Sequence, residues 1–149
     1  MANGCIRVYS GLMDMMDDNE VEGVLGHEMG HVALGHTRKA MQVAFGTTAA
    51  RTAAASVGGV IGSLSQSQLG DLGEKLVNAQ FSQTQESQAD DYSYDLLKKR
   101  GIDPMGLATS FEKLAKMQQG QQSSLFDSHP DSAARAQHIR ERIAADAGK

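Results

Sequence analysis

The sequence predicts a single, mainly α-helical (α+β) domain with one short strand at its N-terminal edge. Four segments carry helical periodicity together with start and stop signals, and only one segment alternates in the manner of a strand. The chain has 149 residues, of which 40% are hydrophobic, which is enough to bury one core without disulfides. We therefore expect residues 1–149 to form one domain.

The predicted strand is CIRVYS, residues 5–10. Ile6 and Val8 would share one face and Arg7 and Tyr9 the other, and a glycine follows the segment. A strand at the edge of a sheet can bind an extended peptide by main-chain hydrogen bonds. Alternatively, it only closes a small sheet.

The first strong helix is predicted to begin near Asp17. Glu20 follows Asp17 by three residues, which is the spacing of a capping box. Apolar residues then recur at helical spacing over four or five turns: Val21, Val24, Leu25, Met29 and Val32.

Three further helices are predicted in the second half of the chain. One begins at Ser82 and ends at Gly101, after three basic residues in its last turn. The next has Asp103 as its cap and Pro104 in its first turn, and reaches about residue 119. The last begins at Pro130 and runs to about residue 145.

Residues 43–73 are dominated by alanine, glycine, serine and threonine. One interpretation is a helical insertion, a pair of small-residue helices broken at the glycine pair 58–59. The other is a mobile flap, or a surface that meets a membrane or another subunit. The sequence leaves both open.

Composition excludes several classes of function. The net charge is −4, and the 18 acidic and 14 basic residues are interspersed, so no basic stripe exists to bind nucleic acid. Cys5 is the only cysteine, which excludes an internal disulfide and a thiolate metal site. No apolar segment precedes Cys5, so it is not a credible lipid site. The abrupt start predicts a fragment that lacks an upstream targeting or anchoring segment.

The segment GHEMGHVALGH, residues 26–36, predicts a metal site. His27 and His31 are four residues apart on a predicted helix, so their rings differ by about 40° around its axis and can bind one ion. Glu28 lies beside them, where it can take a proton from a metal-bound water with a pKa of about 7. A chance match is the alternative. The position on an amphipathic helix argues against it, as does the free energy of burying a glutamate between two histidines.

A third ligand is expected because catalytic zinc sites use three protein ligands and leave a fourth position open. The extended motif of some zinc proteases would need glycine at position 34 and histidine at position 37, which are Leu34 and Thr37. On a continuing helix His36 points about 140° away from His31. We therefore interpret His36 as a structural residue or an outer hydrogen-bond partner.

The segment ESQAD, residues 86–90, supplies the better candidate. Glu86 and Asp90 are four residues apart on one helix, so one can bind the metal while the other hydrogen-bonds the outer nitrogen of a ligand histidine. The alternative is a solvated acidic face, with Asp91 and Asp95 nearby. Glu74 is the second choice for the third ligand.

These two motifs together resemble the gluzincin metallopeptidases of the family that contains the HtpX membrane protease, the CAAX prenyl-protein endopeptidase and the mitochondrial Oma protease. Within it, the chain is most similar to lipoprotein-type members of the bacterial envelope. SHPDSAAR, residues 128–135, is similar to the late H-P-x-x-x-x-R element of the family, except that Ala136 stands where isoleucine is common. The resemblance implies a zincin-like core with one Zn²⁺ per chain, and covers nearly the whole chain.

The resemblance also implies roles for individual residues. His27, His31 and Glu86 would be the zinc ligands, Glu28 the catalytic base, and Asp90 the partner of His27. His129 precedes a predicted helix, where it either donates to the oxyanion of the tetrahedral intermediate or only caps the helix. Arg135 is either a cleft residue or a structural ion-pair residue.

The leading interpretation is a zinc endopeptidase that cleaves unfolded or misfolded proteins on the periplasmic side of the bacterial envelope. It would be attached to the outer membrane only by a lipid on a missing N-terminal segment, and the sequence does not predict its oligomeric state. A peptide-binding module with a structural metal is one alternative, against which Glu28 argues. A zinc hydrolase of small amides is another.

Overall fold

The computed structural model describes residues 6–55, 81–118 and 129–148. Six helices lie within these ranges. They are α1 (Ser10–Met15), α2 (Asp18–Ala33), α3 (His36–Ala55), α4 (Gln83–Arg100), α5 (Met105–Gln118) and α6 (Ser132–Ala147). Helix α2 packs against both α4 and α5, and α6 packs mainly against α5. The mainly helical class is therefore confirmed.

The strand predicted at residues 5–10 is not formed in the part of the chain that the structure describes. Residues 6–9 have no regular secondary structure, and Ser10 begins α1. Tyr9 is 74% exposed, so it packs against no second layer. An alternating segment becomes a strand only when another strand pairs with its backbone, and none of the described segments does so.

The capping box predicted for the first strong helix is confirmed. The backbone N–H of Glu20 donates to Asp17 Oδ1 at 2.9 Å, and the backbone N–H of Asp17 donates to Glu20 Oε2 at 3.0 Å. These two bonds satisfy donors that a helix start leaves free. Glu20 is 2% exposed, and Lys113 of α5 donates to its Oε2. The same carboxylate thus begins α2 and ties it to α5.

Helix α2 approaches α4 closely because glycines face that helix. A methyl group on Gly30 would lie 2.9 Å from the backbone oxygen of Ala89, and one on Gly26 would overlap the hydroxyl oxygen of Ser93. Only residues without Cβ allow backbones to come this near. Ser93 also donates from Oγ to the carbonyl of Gly23 at 2.8 Å, which fixes the register of the two helices.

The hydrophobic core lies where α2, α4, α5 and α6 meet. Nine buried side chains form it in the described residues: Met16, Tyr94, Leu97, Leu107, Ala108, Phe111, Leu114, Ala136 and Ile139. Their burial drives these helices together, and the buried polar residues of α2 and α4 lie beside this core.

The boundaries predicted for α4 are confirmed. Ser82 accepts a hydrogen bond from the backbone N–H of Gln85, and Gly101 ends the helix with φ of 72°. That left-handed conformation favours glycine. Helix α5 begins at Met105, whose N–H donates to Asp103 Oδ1 at 2.9 Å, as expected for the predicted cap.

Helix α6 begins two residues later than predicted, at Ser132 rather than Pro130. Asp131 stands between them in the left-handed region, with φ of 67°. Because of this conformation, Pro130 is not part of the helix. His129, the residue before Pro130, contacts Glu86 of α4 and His27 of α2. The displaced start therefore contributes to the placement of His129.

Only part of the segment 43–73 lies in the described residues. Residues 43–55 belong to α3, which agrees with the helical interpretation for that part. The glycine pair 58–59 and Glu74 lie outside the described ranges, so the choice between insertion and flap stays a prediction. None of the helices that the structure describes combines the length and apolar composition needed to cross a membrane.

Glu20 gives a prediction about acid stability. Burial alone would raise the pKa of Glu20, but hydrogen bonds from Lys113 and the backbone of Asp17 outweigh it and lower the pKa. The stabilisation is therefore present above the pKa of the unfolded state, about 4.3, and is lost as pH falls through the lower folded value. We expect Glu20→Gln to lower the free energy of unfolding by about 1 kcal/mol at pH 7. We also expect the free energy of unfolding of this variant to decline less steeply below pH 5 than that of the unaltered protein.

Urea unfolding of the metal-free protein between pH 3 and pH 7 measures this effect. Glu22→Gln, at an exposed position of the same helix, is the matched control. It should leave the decline of the free energy of unfolding below pH 5 unchanged. If the free energy of unfolding of Glu20→Gln falls as steeply below pH 5 as that of the unaltered protein, the role assigned to this carboxylate is contradicted.

Candidate metal centre

Three predicted ligands and His129 come together between α2 and α4. His27 and His31 project from adjacent turns of α2, and Glu86 projects from the first turn of α4. Their side chains are 1–4% exposed. One donor atom from each, together with one from His129, lies within 4.8 Å of the others. The structure therefore places two separated sequence motifs around one point.

The spacing of these donor atoms fits a zinc ion. The two Nε2 atoms of His27 and His31 are 3.0 Å apart. Glu86 Oε1 lies 3.1 Å from His31 Nε2, and Oε2 lies 3.5 Å from His27 Nε2. Tetrahedral zinc with bonds of about 2.0–2.1 Å sets donor separations of about 3.3 Å. Two imidazole nitrogens and one carboxylate oxygen are also donor types that zinc prefers.

Asp90 determines how the His27 ring is oriented. Its Oδ1 lies 2.7 Å from His27 Nδ1, and because a carboxylate only accepts, the hydrogen between them belongs to Nδ1. Burial lowers the pKa of His27 to about 4, so the ring is neutral near pH 7. Its Nε2 lone pair therefore points at His31 and Glu86, where a cation is the natural partner.

The carboxylate of Glu86 is held in its charged form. Burial alone would raise the pKa of Glu86, but hydrogen bonds with His129 and His31 outweigh it and hold the pKa below its usual range. Arg135 Nη1 also lies 2.7 Å from Glu86 Oε2. A buried, ionised carboxylate beside two imidazole nitrogens is suited to a divalent cation.

Arg135 lies at the centre of the buried charges, as its ion-pair interpretation predicts. Its Nε and Nη2 contact both oxygens of Asp90, at 2.8 Å and 2.6 Å, in addition to the contact with Glu86. The guanidinium lies 4.0 Å above the ring of Phe111. Arg135 is therefore a buried ion-pair residue that supports two site carboxylates. Those contacts lower the pKa of Asp90, which burial alone would raise.

Glu28 and His129 form the more open side of the centre. The Glu28 side chain is 35% exposed, and its Oε1 lies 3.5 Å from His129 Nε2. His129 Nδ1 lies 3.0 Å from Glu86 Oε1 and 3.3 Å from His27 Nε2. His129 thus reaches both the predicted base and the predicted ligands, and is not merely an exposed helix cap.

The sequence profile of peptidase family M48 matches residues 1–143. This chain belongs to peptidase family M48. It is 77% identical over 146 residues to Metalloprotease LoiP of Escherichia coli (strain K12), and 61% identical over 144 residues to Metalloprotease YcaL of the same organism. These alignments cover 98% and 97% of this chain but only 58% and 57% of those two proteins.

A third protein matches a shorter stretch of the chain. Protease HtpX of Thioalkalivibrio sulfidiphilus (strain HL-EbGR7) is 58% identical over 33 residues, which is 22% of this chain and 11% of that protein. None of the solved structures matches the chain. The resemblance drawn from the two motifs is confirmed by the M48 profile and the two longer alignments.

In this M48 chain His36 does not contribute to the donor group. Helix α2 ends at Ala33, and Gly35 turns the chain with φ of 72°, so the angle of about 140° that a continuing helix would give does not apply to His36. The turn brings His36 Nδ1 to 3.2 Å from His31 Nδ1, on the side of that ring away from the donor cluster. The prediction that His36 is an outer residue agrees with this placement.

Two phenylalanines beside the M48 site were missed by the sequence analysis. The Phe81 ring centroid lies 4.0 Å from that of His31, and Phe111 lies 5.9 Å from His27. Phe81 directly precedes the cap of α4, and that position was its only signal. Helical periodicity places Phe111 on a buried face but does not identify its partner.

A groove of about 240 Å³ opens between the N-terminal halves of α4 and α6. Glu86, Asp90 and Arg135 form its inner wall. Its outer walls carry smaller or polar residues: Gln83, Ser87, Pro130, Asp131, Ala134 and His138. The groove reaches Glu86, a predicted metal ligand, but neither Glu28 nor His129 lines it.

Proposed function

We propose that this chain is the catalytic part of a zinc-dependent endopeptidase that cleaves unfolded or misfolded polypeptides. The observation that carries the proposal is the convergence of His27, His31 and Glu86 beside a more exposed Glu28. Membership of family M48 and the similarity to two proteins named as metalloproteases support it.

The chain's own residues would divide the chemistry between them. His27, His31 and Glu86 would hold the ion, which when bound supplies Lewis-acid activation of a water molecule and of the scissile carbonyl. The Glu28 carboxylate would accept a proton from the attacking water and deliver it to the leaving amine. Asp90 keeps the hydrogen of His27 on Nδ1, which leaves Nε2 free to bind the metal.

His129 would donate to the oxyanion that develops on the substrate carbonyl. Its ring lies between Glu28 and Glu86, so one of its nitrogens would be available to a substrate carbonyl bound between these residues. We expect His129→Ala to lower kcat by about 100-fold while zinc content stays near one per chain. Steady-state kinetics and metal analysis of the same samples test this.

The position of His129 also favours a second candidate function. Four protein donors close a zinc site, and closed sites are typical of structural zinc. His129 Nδ1 lies among the donors, so the chain could be a peptide-binding module whose metal is structural. Under that alternative His129→Ala would weaken zinc binding and no variant would cleave. Weaker zinc binding with faster cleavage would instead identify a latent peptidase.

The experiment that tests the proposed activity is cleavage of casein by this chain, with zinc measured on the same samples. We expect about one zinc per chain and cleavage that a chelator abolishes and added zinc restores. Zinc binding with intact casein would contradict the peptidase proposal for this chain and favour the binding module. Cleavage of small amides alone would favour an amide hydrolase.

The polypeptide substrate is supported by membership of family M48, and no longer by an edge strand. The periplasmic location and the attachment to the outer membrane by a lipid on an upstream segment remain proposals that rest on the sequence resemblance. Fractionation of the full-length protein in its bacterial host tests them. Recovery of the protein in the cytoplasm would contradict both.

A further inference from the structure

A chain of hydrogen bonds extends from the metal centre to the surface of α4. His31 Nδ1 lies 3.2 Å from His36 Nδ1, and His36 Nε2 lies 3.2 Å from Gln88 Oε1. His31 is 1% exposed and His36 is 6% exposed, whereas Gln88 is at the surface. The function proposed above assigns no role to His36 or Gln88.

The direction of these hydrogen bonds follows from the ligand role of His31. A metal at Nε2 needs the lone pair of that atom, so the hydrogen of a neutral His31 must be on Nδ1. His36 Nδ1 must then accept, which places the hydrogen of His36 on Nε2. Gln88 Oε1 is an acceptor, so the third member fits the only tautomers that the first two allow.

The two ligand histidines therefore have outer partners of different charge. His27 donates to the carboxylate of Asp90, whereas the partner of His31 is a neutral imidazole. A neutral acceptor orients a ring without adding a charge beside Glu86, whose carboxylate already lies 3.1 Å from His31 Nε2. A second outer carboxylate at this point would add like-charge repulsion in a buried site.

We propose that His36 and Gln88 are positioning residues that hold His31 in its metal-binding tautomer, with Gln88 selecting the tautomer of His36. The left-handed Gly35 makes this possible because it turns the first residue of α3 back onto α2. The proposal rests on the metal site of the proposed function, and it does not depend on the reaction catalysed there.

Substitutions at Gln88 test the tautomer requirement directly. Glutamate can only accept, so Gln88→Glu keeps the required partner of His36 Nε2, whereas the ammonium of Gln88→Lys can only donate and opposes it. We expect Gln88→Lys to weaken zinc affinity about 10-fold, the lower end of the effect of outer partners. Gln88→Glu should bind zinc at least as tightly as the unaltered chain. Competition with a chromophoric chelator measures both.

Charge alone would change affinity in the same direction, so matched controls are needed. Thr84 is exposed and lies one turn before Gln88 on the same face of α4. Thr84→Lys and Thr84→Glu introduce the same charges without a bond to His36, and should change zinc affinity by less than about 2-fold because exposed charges are screened. Equal effects at positions 84 and 88 would overturn the proposal.

Nitrogen-15 NMR of the zinc-loaded protein gives a readout that neither charge nor activity alters. We expect His36 to carry its hydrogen on Nε2 in the unaltered chain and in Gln88→Glu, and to lose that state in Gln88→Lys. His36→Gln, which keeps an acceptor, should retain more zinc affinity than His36→Leu. A hydrogen on His36 Nδ1 in the unaltered protein would overturn the proposed hydrogen-bond chain.

The outcomes also separate this proposal from the proposed function. If the chain binds zinc tightly and neither Gln88→Lys nor His36→Leu changes the affinity, the positioning role of His36 and Gln88 is refuted while the peptidase proposal stands. An unaltered chain that binds no zinc would refute both. If NMR shows the expected tautomer of His36 in a zinc-loaded chain that does not cleave casein, the positioning role is supported and the peptidase proposal is refuted.

Discussion

Replacement of Glu28 by glutamine is expected to lower kcat by about 10²–10⁴-fold, the usual contribution of general acid–base catalysis. The amide keeps the size of the side chain but cannot accept the proton of an attacking water. Zinc content should stay near one per chain, because Glu28 is not in the donor group of His27, His31, Glu86 and His129. Casein cleavage and metal analysis on one preparation measure both.

Two controls separate loss of catalysis from loss of structure. Glu22→Gln, at an exposed position of the same helix, should leave cleavage unchanged, and thermal unfolding of Glu28→Gln should match that of the unaltered chain. Full activity in a metal-replete Glu28→Gln protein would refute the role of this carboxylate. A loss of zinc would instead show that Glu28 helps to bind the ion.

Replacement of Arg135 by methionine is expected to lower the free energy of unfolding of the metal-free protein by about 3–5 kcal/mol. The guanidinium contacts both Glu86 and Asp90, and its side chain is 8% exposed. Without it, two buried carboxylates lose their compensating charge. Methionine keeps most of the volume, so the loss reports charge more than a cavity. Urea unfolding in the presence of a chelator measures the change.

Arg140→Met is the matched control, because Arg140 forms an exposed ion pair with Glu112 on the other side of α6. Exposed pairs contribute little, so this variant should unfold almost as the unaltered chain does. Zinc should reduce the effect of Arg135→Met, because the ion supplies positive charge to Glu86. Equal stability of the two variants without metal would contradict the buried-pair interpretation.

Local signals in the sequence were enough to predict most of the helices. The cap of α2 at Asp17, the cap of α4 at Ser82 and the end of α4 at Gly101 depend on atoms a few residues apart, so the sequence states them directly. The candidate site was predictable for the same reason. A spacing of four residues on a helix places His27 with His31, and Glu86 with Asp90, whatever the tertiary structure.

The contacts between helices could not be predicted from local spacing. The pairing of Arg135 with two carboxylates depends on how α6 crosses α4, and the stacking of Phe81 on His31 depends on the path of the chain before α4. The hydrogen bond between His36 and His31 depends on the left-handed turn at Gly35, which sets how α3 returns onto α2. Each of these depends on tertiary geometry.

The glycine-lined crossing of α2 and α4 has a consequence for the ionic radius that the site accepts. Gly30 lies against the backbone of Ala89. Because no side chain separates the two helices at this point, a change of side-chain rotamer there cannot alter the distance between them. Ligands from α2 and α4 are therefore held at a spacing that suits bonds of about 2.0–2.1 Å. Calcium, with bonds of about 2.3–2.6 Å, would have to push two touching backbones apart. We therefore expect the close packing of α2 and α4 to favour zinc over calcium, because a wider site would lose the contacts between the two helices.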